Sequence, residues 1–228
     1  MAILYNISRM KINKGVIMKR WWNVMSKGFL LVISGPSGVG KGTVCDELLK
    51  EVNDVVMSVS ATTRDMRPGE VDGESYFFVD DERFEEMVEN EEFLEHANVH
   101  AHKYGTPKKF VFDKIKDGEV VILEIDVQGA LQVKKVYDEA VFIMLLPPSM
   151  VELKNRIVGR KTETEEAINL RMNNAFKELD FVTDYDYFVV NDTVHEAVQN
   201  IKSIIDAEKH RVKRFKYIKE KVLGEKDV

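Results

Sequence analysis

The run Gly35, Pro36, Ser37, Gly38, Val39, Gly40, Lys41, Gly42, Thr43 sets glycines, hydroxyls and one lysine at the spacing of a loop that wraps phosphate. Glycines let backbone N–H groups turn inward around phosphate oxygens. A helix starting at Lys41 adds partial positive charge to the full charge of the lysine. This is chemistry for holding and moving a phosphoryl group, and Lys41 is its catalytic candidate. Gly42 stands directly after the lysine, where a metal-binding hydroxyl is often found. Thr43 and Ser37 therefore reach Mg²⁺ only through water, and no residue is assigned as a direct metal ligand.

Arg64 and Arg67 lie three apart in a second polar stretch, Ser60 to Glu70, followed by Asp72, Gly73 and Tyr76. Arginines so placed make forked contacts to a second phosphate, and the hydroxyls of Tyr76 and Tyr104 can complete that pocket. Taken alone, the two arginines are equally well satisfied by solvent or by Asp65 and Glu70. Glu124 and Asp126, two apart at the end of an apolar run, share one face of a strand. Open parallel sheets bind ligands beyond such strand ends, and Asp126 is also placed to cap the helix that begins near Gln128.

These side chains need a frame. Phe29–Ser34 is a continuous apolar run, which predicts a strand covered on both faces. A helix is expected from Lys41 to about Glu51 and a second strand over Val55–Ser60. Residues 61–75 are expected to be a long loop, a length that is usually functional. Tyr76–Val79 reads as a strand, and Asp80–Asn90 as a helix capped by Asp80 or Asp81. Strands over Phe93–Val99 and His102–Thr106 complete a small mixed lobe. A helix over Pro107–Asp117 stops at Gly118. Val120–Ile125 and Val141–Leu146 are two more buried strands, Ser149–Leu179 a charged helical stretch interrupted at Gly159, and Tyr187–Val190 a last strand. A helix follows from about Thr193, and its basic end, Lys209–Lys221, reads as a solvated face. Strands alternating with helices predict an α/β fold with a parallel sheet core flanked by helices.

Composition narrows the options. Of 228 residues, 44% are hydrophobic, enough for a sizeable core. The net charge of -6 argues against a general nucleic-acid binder, which presents a basic footprint. One cysteine, Cys45, excludes an internal disulfide and a cysteine-rich zinc site, and fits a reducing, cytoplasmic setting. No apolar stretch approaches the roughly 18 residues that a membrane span needs. Residues 1–24 hold five basic residues and no acid. They read as a disordered extension ahead of a compact part opening at Met25, or as a targeting segment.

Five segments in order, GPSGVGKGT, SATTRDMRPGEVDGESYFF, EEFLEHANVHAHKYGTP, VVILEIDVQG and RIVGRKTETEEAINLRM, make the chain resemble guanylate kinases. The resemblance covers essentially all of residues 28–210. It implies an ATP:GMP phosphotransferase using Mg²⁺, with GMP or dGMP as acceptor. Its domain would span 25–210: a core of 25–60 and 107–210, a GMP-binding lobe of about 61–106, and a helical lid of about 154–173. Residues 211–228 would be a helix end and tail. Carried over by motif, Gly35 to Thr43 would bind ATP, and Arg64, Arg67, Tyr76 and Tyr104 would hold the GMP phosphate. Ser60, Glu95 and Thr106 would read guanine. Guanine offers adjacent N1–H and N2–H donors to a carboxylate, whereas adenine opposes it with a lone pair. Glu124 and Asp126 would approach GMP, with Mg²⁺ near Asp126 and Thr43. Arg156, Arg160 and Arg171 would be lid arginines that supply charge to the transferring phosphoryl group. Two alternatives are a non-catalytic scaffold module, which lacks a working phosphate loop, and a ribose bisphosphate kinase, which needs no guanine reader. No nucleic-acid or membrane partner is implied, and self-association is left open.

Overall fold

The computed structural model describes residues 28–159 and 164–215. Residues 1–24, Arg160 and the tail beyond 215 lie outside the described residues. Strands β1 (Leu30–Ser34), β2 (Val55–Met57), β7 (Val120–Glu124), β8 (Val141–Leu146) and β9 (Tyr187–Val190) form one parallel sheet in the order β2-β7-β1-β8-β9. Strand periodicity sorts β1 by face. Leu31 and Ile33 join Val44 and Leu48 of helix α1 (Lys41–Glu51) and Ile201 and Ile205 of α7 (Val194–Lys209). Leu30 and Val32 join Val111 of α3 (Lys108–Lys116) and Ala130 and Val133 of α4 (Val127–Val136). Both faces are covered, which is why β1, β7 and β8 read as continuous apolar runs.

Between β2 and α3 the chain builds a second, four-stranded sheet in the order β4-β3-β6-β5. Its strands are β3 (Ala61–Thr62), β4 (Phe77–Phe78), β5 (Phe93–Val99) and β6 (His102–Pro107), with helix α2 (Asp81–Glu89) alongside. Ala61, Phe84, Met87 and Phe93 give this lobe its own small core. The expected α/β architecture with an inserted mixed lobe is therefore present. No helix among the described residues is long and apolar enough to cross a membrane.

Several boundaries differ from the expectations. β2 stops at Met57, and the stretch expected as a loop begins with β3. Two residues carry no readable alternation; β3 exists because β4 and β6 pair with it on either side. The charged helical stretch is two helices, α5 (Met150–Val158) and α6 (Glu165–Leu179), so the second runs past residue 173. Asp80, not Asp81, caps α2, accepting from Arg83 N at 2.7 Å. The basic end of α7 is not simply solvated. Lys209 pairs with Asp54 at 2.6 Å, and Arg214 lies with its guanidinium 4.5 Å from the Phe29 ring centre.

Candidate active site

The phosphate loop joins the carboxyl end of β1 to α1. Gly40 has φ of 96°, and a Cβ there would lie 2.7 Å from Asn191 Nδ2. That amide nitrogen donates to Val39 O at 2.8 Å, while Asn191 N donates to Leu146 O at 2.8 Å. Asn191, at the end of β9, thus props the loop from below, and Gly40 leaves room for it. Val39 is fully buried and serves the loop through its backbone. Lys41 Nζ folds back to donate to Gly35 O at 2.7 Å and Pro36 O at 3.4 Å.

Burial lowers the pKa of Lys41 below the usual lysine value, while Glu124, Glu178 and Asp126 pull it back up. The same burial raises the pKa values of Glu124 and Glu178, and Lys41 opposes it in each case. Glu124 sits beside the loop: a Cβ on Gly42 would lie 3.6 and 3.7 Å from its carboxylate oxygens. Asp126 caps α4, accepting from Gly129 N at 2.8 Å, so its capping role and its place near Lys41 coexist. Thr43 is exposed on the first turn of α1.

On the inserted lobe, Arg64 is nearly buried and forks onto Glu70, with Nη2 at 2.7 Å from Oε1 and Nη1 at 3.1 Å from Oε2. Glu70 also accepts from Arg67 N at 2.8 Å. The Arg64 guanidinium lies 5.4 Å from the Tyr76 ring centre, and the Tyr76 and Tyr104 rings are 5.9 Å apart. Arg64, Tyr76 and Tyr104 are therefore one cluster, and Arg67 stands exposed beside it.

The second cluster on this lobe is Glu95 with Thr106, whose hydroxyl donates to Glu95 Oε1 at 2.6 Å. Both are buried. Burial raises the pKa of Glu95; the Thr106 bonds oppose this, and Asp126 of the core adds to it. Ser60, half-buried, holds β4 in register through its carbonyl, which accepts from Phe77 N at 2.9 Å.

The helices after β8 hold two of the predicted arginines. Arg171 of α6 donates to Ser37 Oγ in the phosphate loop at 2.8 Å. Arg156 of α5 instead donates to Asn191 O at 2.9 Å and Asp192 O at 3.3 Å, and pairs with Glu152 at 3.0 Å. It grips the β9 end rather than the phosphate loop.

Sequence reasoning named Glu70 only as a partner for the loop arginines, and passed over Asn191 and Glu178. Each had a signal. Asn191 follows a parallel strand at its carboxyl end, Glu70 lies three residues after Arg67, and Glu178 lies two helical turns after Arg171 on the same face.

The candidate site residues thus form a phosphate loop on the core and, on the inserted lobe, an arginine–tyrosine cluster and a buried carboxylate–threonine pair. The guanylate kinase family model matches residues 27–208. A guanylate kinase of Clostridium tetani is 57% identical over 192 residues, covering 84% of this chain and 92% of its own. One of Clostridioides difficile is 54% identical over 194 residues, covering 85% and 95%. The crystal structure of guanylate kinase from Anaplasma phagocytophilum superposes with a TM-score of 0.66 at 36% identity, covering 86% of this chain and 94% of that one. With the family model spanning both lobes and the phosphate loop, this chain belongs to the guanylate kinase family.

Proposed function

We infer that this chain transfers the γ-phosphoryl group of ATP to GMP, forming ADP and GDP, and that it accepts dGMP as well. The observation that carries the guanine assignment is the buried Glu95–Thr106 pair on the inserted lobe. A carboxylate accepts from guanine N1–H and N2–H together, and a buried one left opposite the lone pair of adenine N1 loses both bonds. Arg64, Arg67, Tyr76 and Tyr104 then take the acceptor phosphate at the other end of the nucleotide, and Ser60 contributes to reading the base. None of these groups is assigned to the sugar, which is why dGMP fits the same site.

Gly35 to Thr43 hold the β- and γ-phosphates of ATP. To reach them, Lys41 exchanges its bonds to Gly35 O and Pro36 O for phosphate oxygens. Arg171 is already braced on the loop through Ser37. Arg156 and Arg160 deliver charge when the lid over about 154–173 closes, excluding water that would otherwise accept the phosphoryl group. The acceptor phosphate is ionised at neutral pH, so no carboxylate base is needed, and the protein acts by positioning and charge.

Mg²⁺ prefers oxygen ligands and keeps much of its water. Among the described residues no cluster of three or more acids, histidines or cysteines is arranged to hold a metal, so no protein cage is offered. Glu124 and Asp126 supply hard oxygens beside the loop, which suits water-mediated support of an ion carried by the triphosphate, with Thr43 nearby. When bound, Mg²⁺ neutralises charge on the β- and γ-phosphates. ATP and GMP as substrates accord with a cytoplasmic setting.

The test is ADP formation by the purified full chain with Mg²⁺-ATP and one acceptor at a time. Turnover is expected with GMP and dGMP and not with AMP. Equal turnover of AMP and GMP would remove the guanine-reading assignment.

A further inference from the structure

The turn that follows Arg64 folds one carboxylate back onto two arginines. Residues 67–70 form a tight turn, closed by Glu70 N on Arg67 O at 3.1 Å. Pro68 and Gly69 occupy its centre, and the φ of 90° at Gly69 suits a type II turn, which favours glycine there. The Glu70 side chain accepts from Arg67 N at 2.8 Å. It also takes the end of the Arg64 guanidinium, with Nη2 at 2.7 Å and Nη1 at 3.1 Å. Arg64 Nη1 donates further to Asp65 O at 2.6 Å. The guanidinium lies 5.4 Å from the Tyr76 ring centre and 5.8 Å from that of Phe78.

A guanidinium carries five N–H donors in a rigid plane. Glu70 and Asp65 O take three of them. The other two, Nε–H and the second Nη2–H, lie side by side on one edge, the pairing that a phosphate accepts bidentately. Pairing with Glu70 and binding a phosphate are therefore not alternatives, because each uses its own edge. Tyr104, assigned above to the same phosphate, interacts with this guanidinium through its hydroxyl.

We propose that Glu70 is a positioning residue for the acceptor phosphate: it grips the end of the Arg64 guanidinium and closes the turn at Arg67, so that both arginines are set before GMP arrives. The inference rests on the kinase reading above and adds to it a residue that touches no substrate.

Two effects of this carboxylate oppose each other. Its charge repels an incoming phosphate, so a glutamate that merely neutralised Arg64 would weaken GMP binding. Its grip spares Arg64 the ordering that a loose, rotamer-rich side chain undergoes on binding. Burial decides between them. Arg64 is 9% exposed, so without Glu70 the end of its guanidinium loses its partner inside the lobe and turns to find another. Glu70 stays ionised in this role, since the bonds from Arg64 and from Arg67 N hold its pKa below the ordinary glutamate value.

The experiment uses the full chain with Glu70→Gln, Glu70→Asp, Arg64→Ala and the double variant Glu70→Gln/Arg64→Ala. It measures kcat, the KM for GMP and for ATP, and inhibition by guanosine, which carries the base without a phosphate. Glu70→Gln should raise the KM for GMP about tenfold with kcat little changed, and leave the KM for ATP and the guanosine inhibition constant within about twofold of wild type. Glu70→Asp, which keeps the charge, should lose less. In the Arg64→Ala background, Glu70→Gln should raise the KM for GMP less than about twofold further, because there is no guanidinium left to hold. An unchanged or lowered KM for GMP in Glu70→Gln would overturn the proposal, a lowered one marking a plain counter-ion. So would an equal loss of guanosine affinity, the sign of a disturbed lobe, or the same tenfold rise in the Arg64→Ala background. Failure of the wild-type chain to turn over GMP would sink the kinase reading itself. Normal wild-type turnover with any of those three outcomes would sink only this proposal.

Discussion

Glu95 shows how one residue trades stability for recognition. Its carboxylate is buried against Thr106, and burial holds its pKa above that of an ordinary carboxylate. A raised pKa means that the folded chain keeps the proton over a range where the unfolded chain has lost it. Stability then falls as pH rises through that window and levels off above the folded pKa. Glu95→Gln keeps an oxygen for the Thr106 hydroxyl but has no charge to bury. Its melting temperature should therefore match wild type at acid pH and exceed it at neutral pH. Discrimination against AMP should fall by about 100-fold or more, since recognition rests on two paired donors. Melting curves at two pH values and acceptor kinetics test both halves, and a neutral variant no more stable than wild type would refute the burial argument. The KM for GMP of the wild-type chain should also rise as pH falls into the range where Glu95 gains its proton.

At the scale of elements, the phosphate loop depends on a strand far along the chain. The end of β9 brings Asn191 under the loop, where its amide holds Val39 O. Gly40 makes this possible in two ways: its φ of 96° and the 2.7 Å that a Cβ would leave to Asn191 Nδ2. Gly40→Ala would carry about 1–2 kcal/mol of left-handed strain and push that amide away. ATP affinity should drop at least tenfold while GMP affinity, set on the other lobe, changes little. Titration calorimetry with each nucleotide separates the two, and a parallel loss of both would mean that the loop is not supported independently. The same β9 end accepts Arg156 through its carbonyls, so loop shape and lid position share one anchor.

At the scale of the whole molecule, the C-terminal segment closes the fold over the start of β1. Glu208, 1% exposed, receives Arg214 at 2.9 Å, Arg211 at 2.7 Å and the Tyr187 hydroxyl at 2.6 Å. Arg214 in turn covers Phe29. Removing one partner of a buried ion pair strands the other, so Glu208→Ala should cost about 3–5 kcal/mol in denaturant unfolding. A loss below about 1 kcal/mol would show that water reaches the site. Nucleotide kinetics measured well below the melting point should be unaffected, because this cluster lies at the opposite end of the sheet strands from the phosphate loop.

Local chemistry was legible from the residues alone. The phosphate loop, the buried strands β1, β7 and β8, and the resemblance through five ordered segments were all carried by short-range spacing, where backbone geometry follows directly from residue type. What spacing does not carry is the meeting of distant residues. The two-residue β3 exists only through its neighbours, the C-terminal arginines are drawn inward by one buried glutamate, and Arg156 turns to β9. Asn191 matters because parallel-strand topology returns the chain to the same sheet end more than 130 residues after the loop, a juxtaposition that only packing decides.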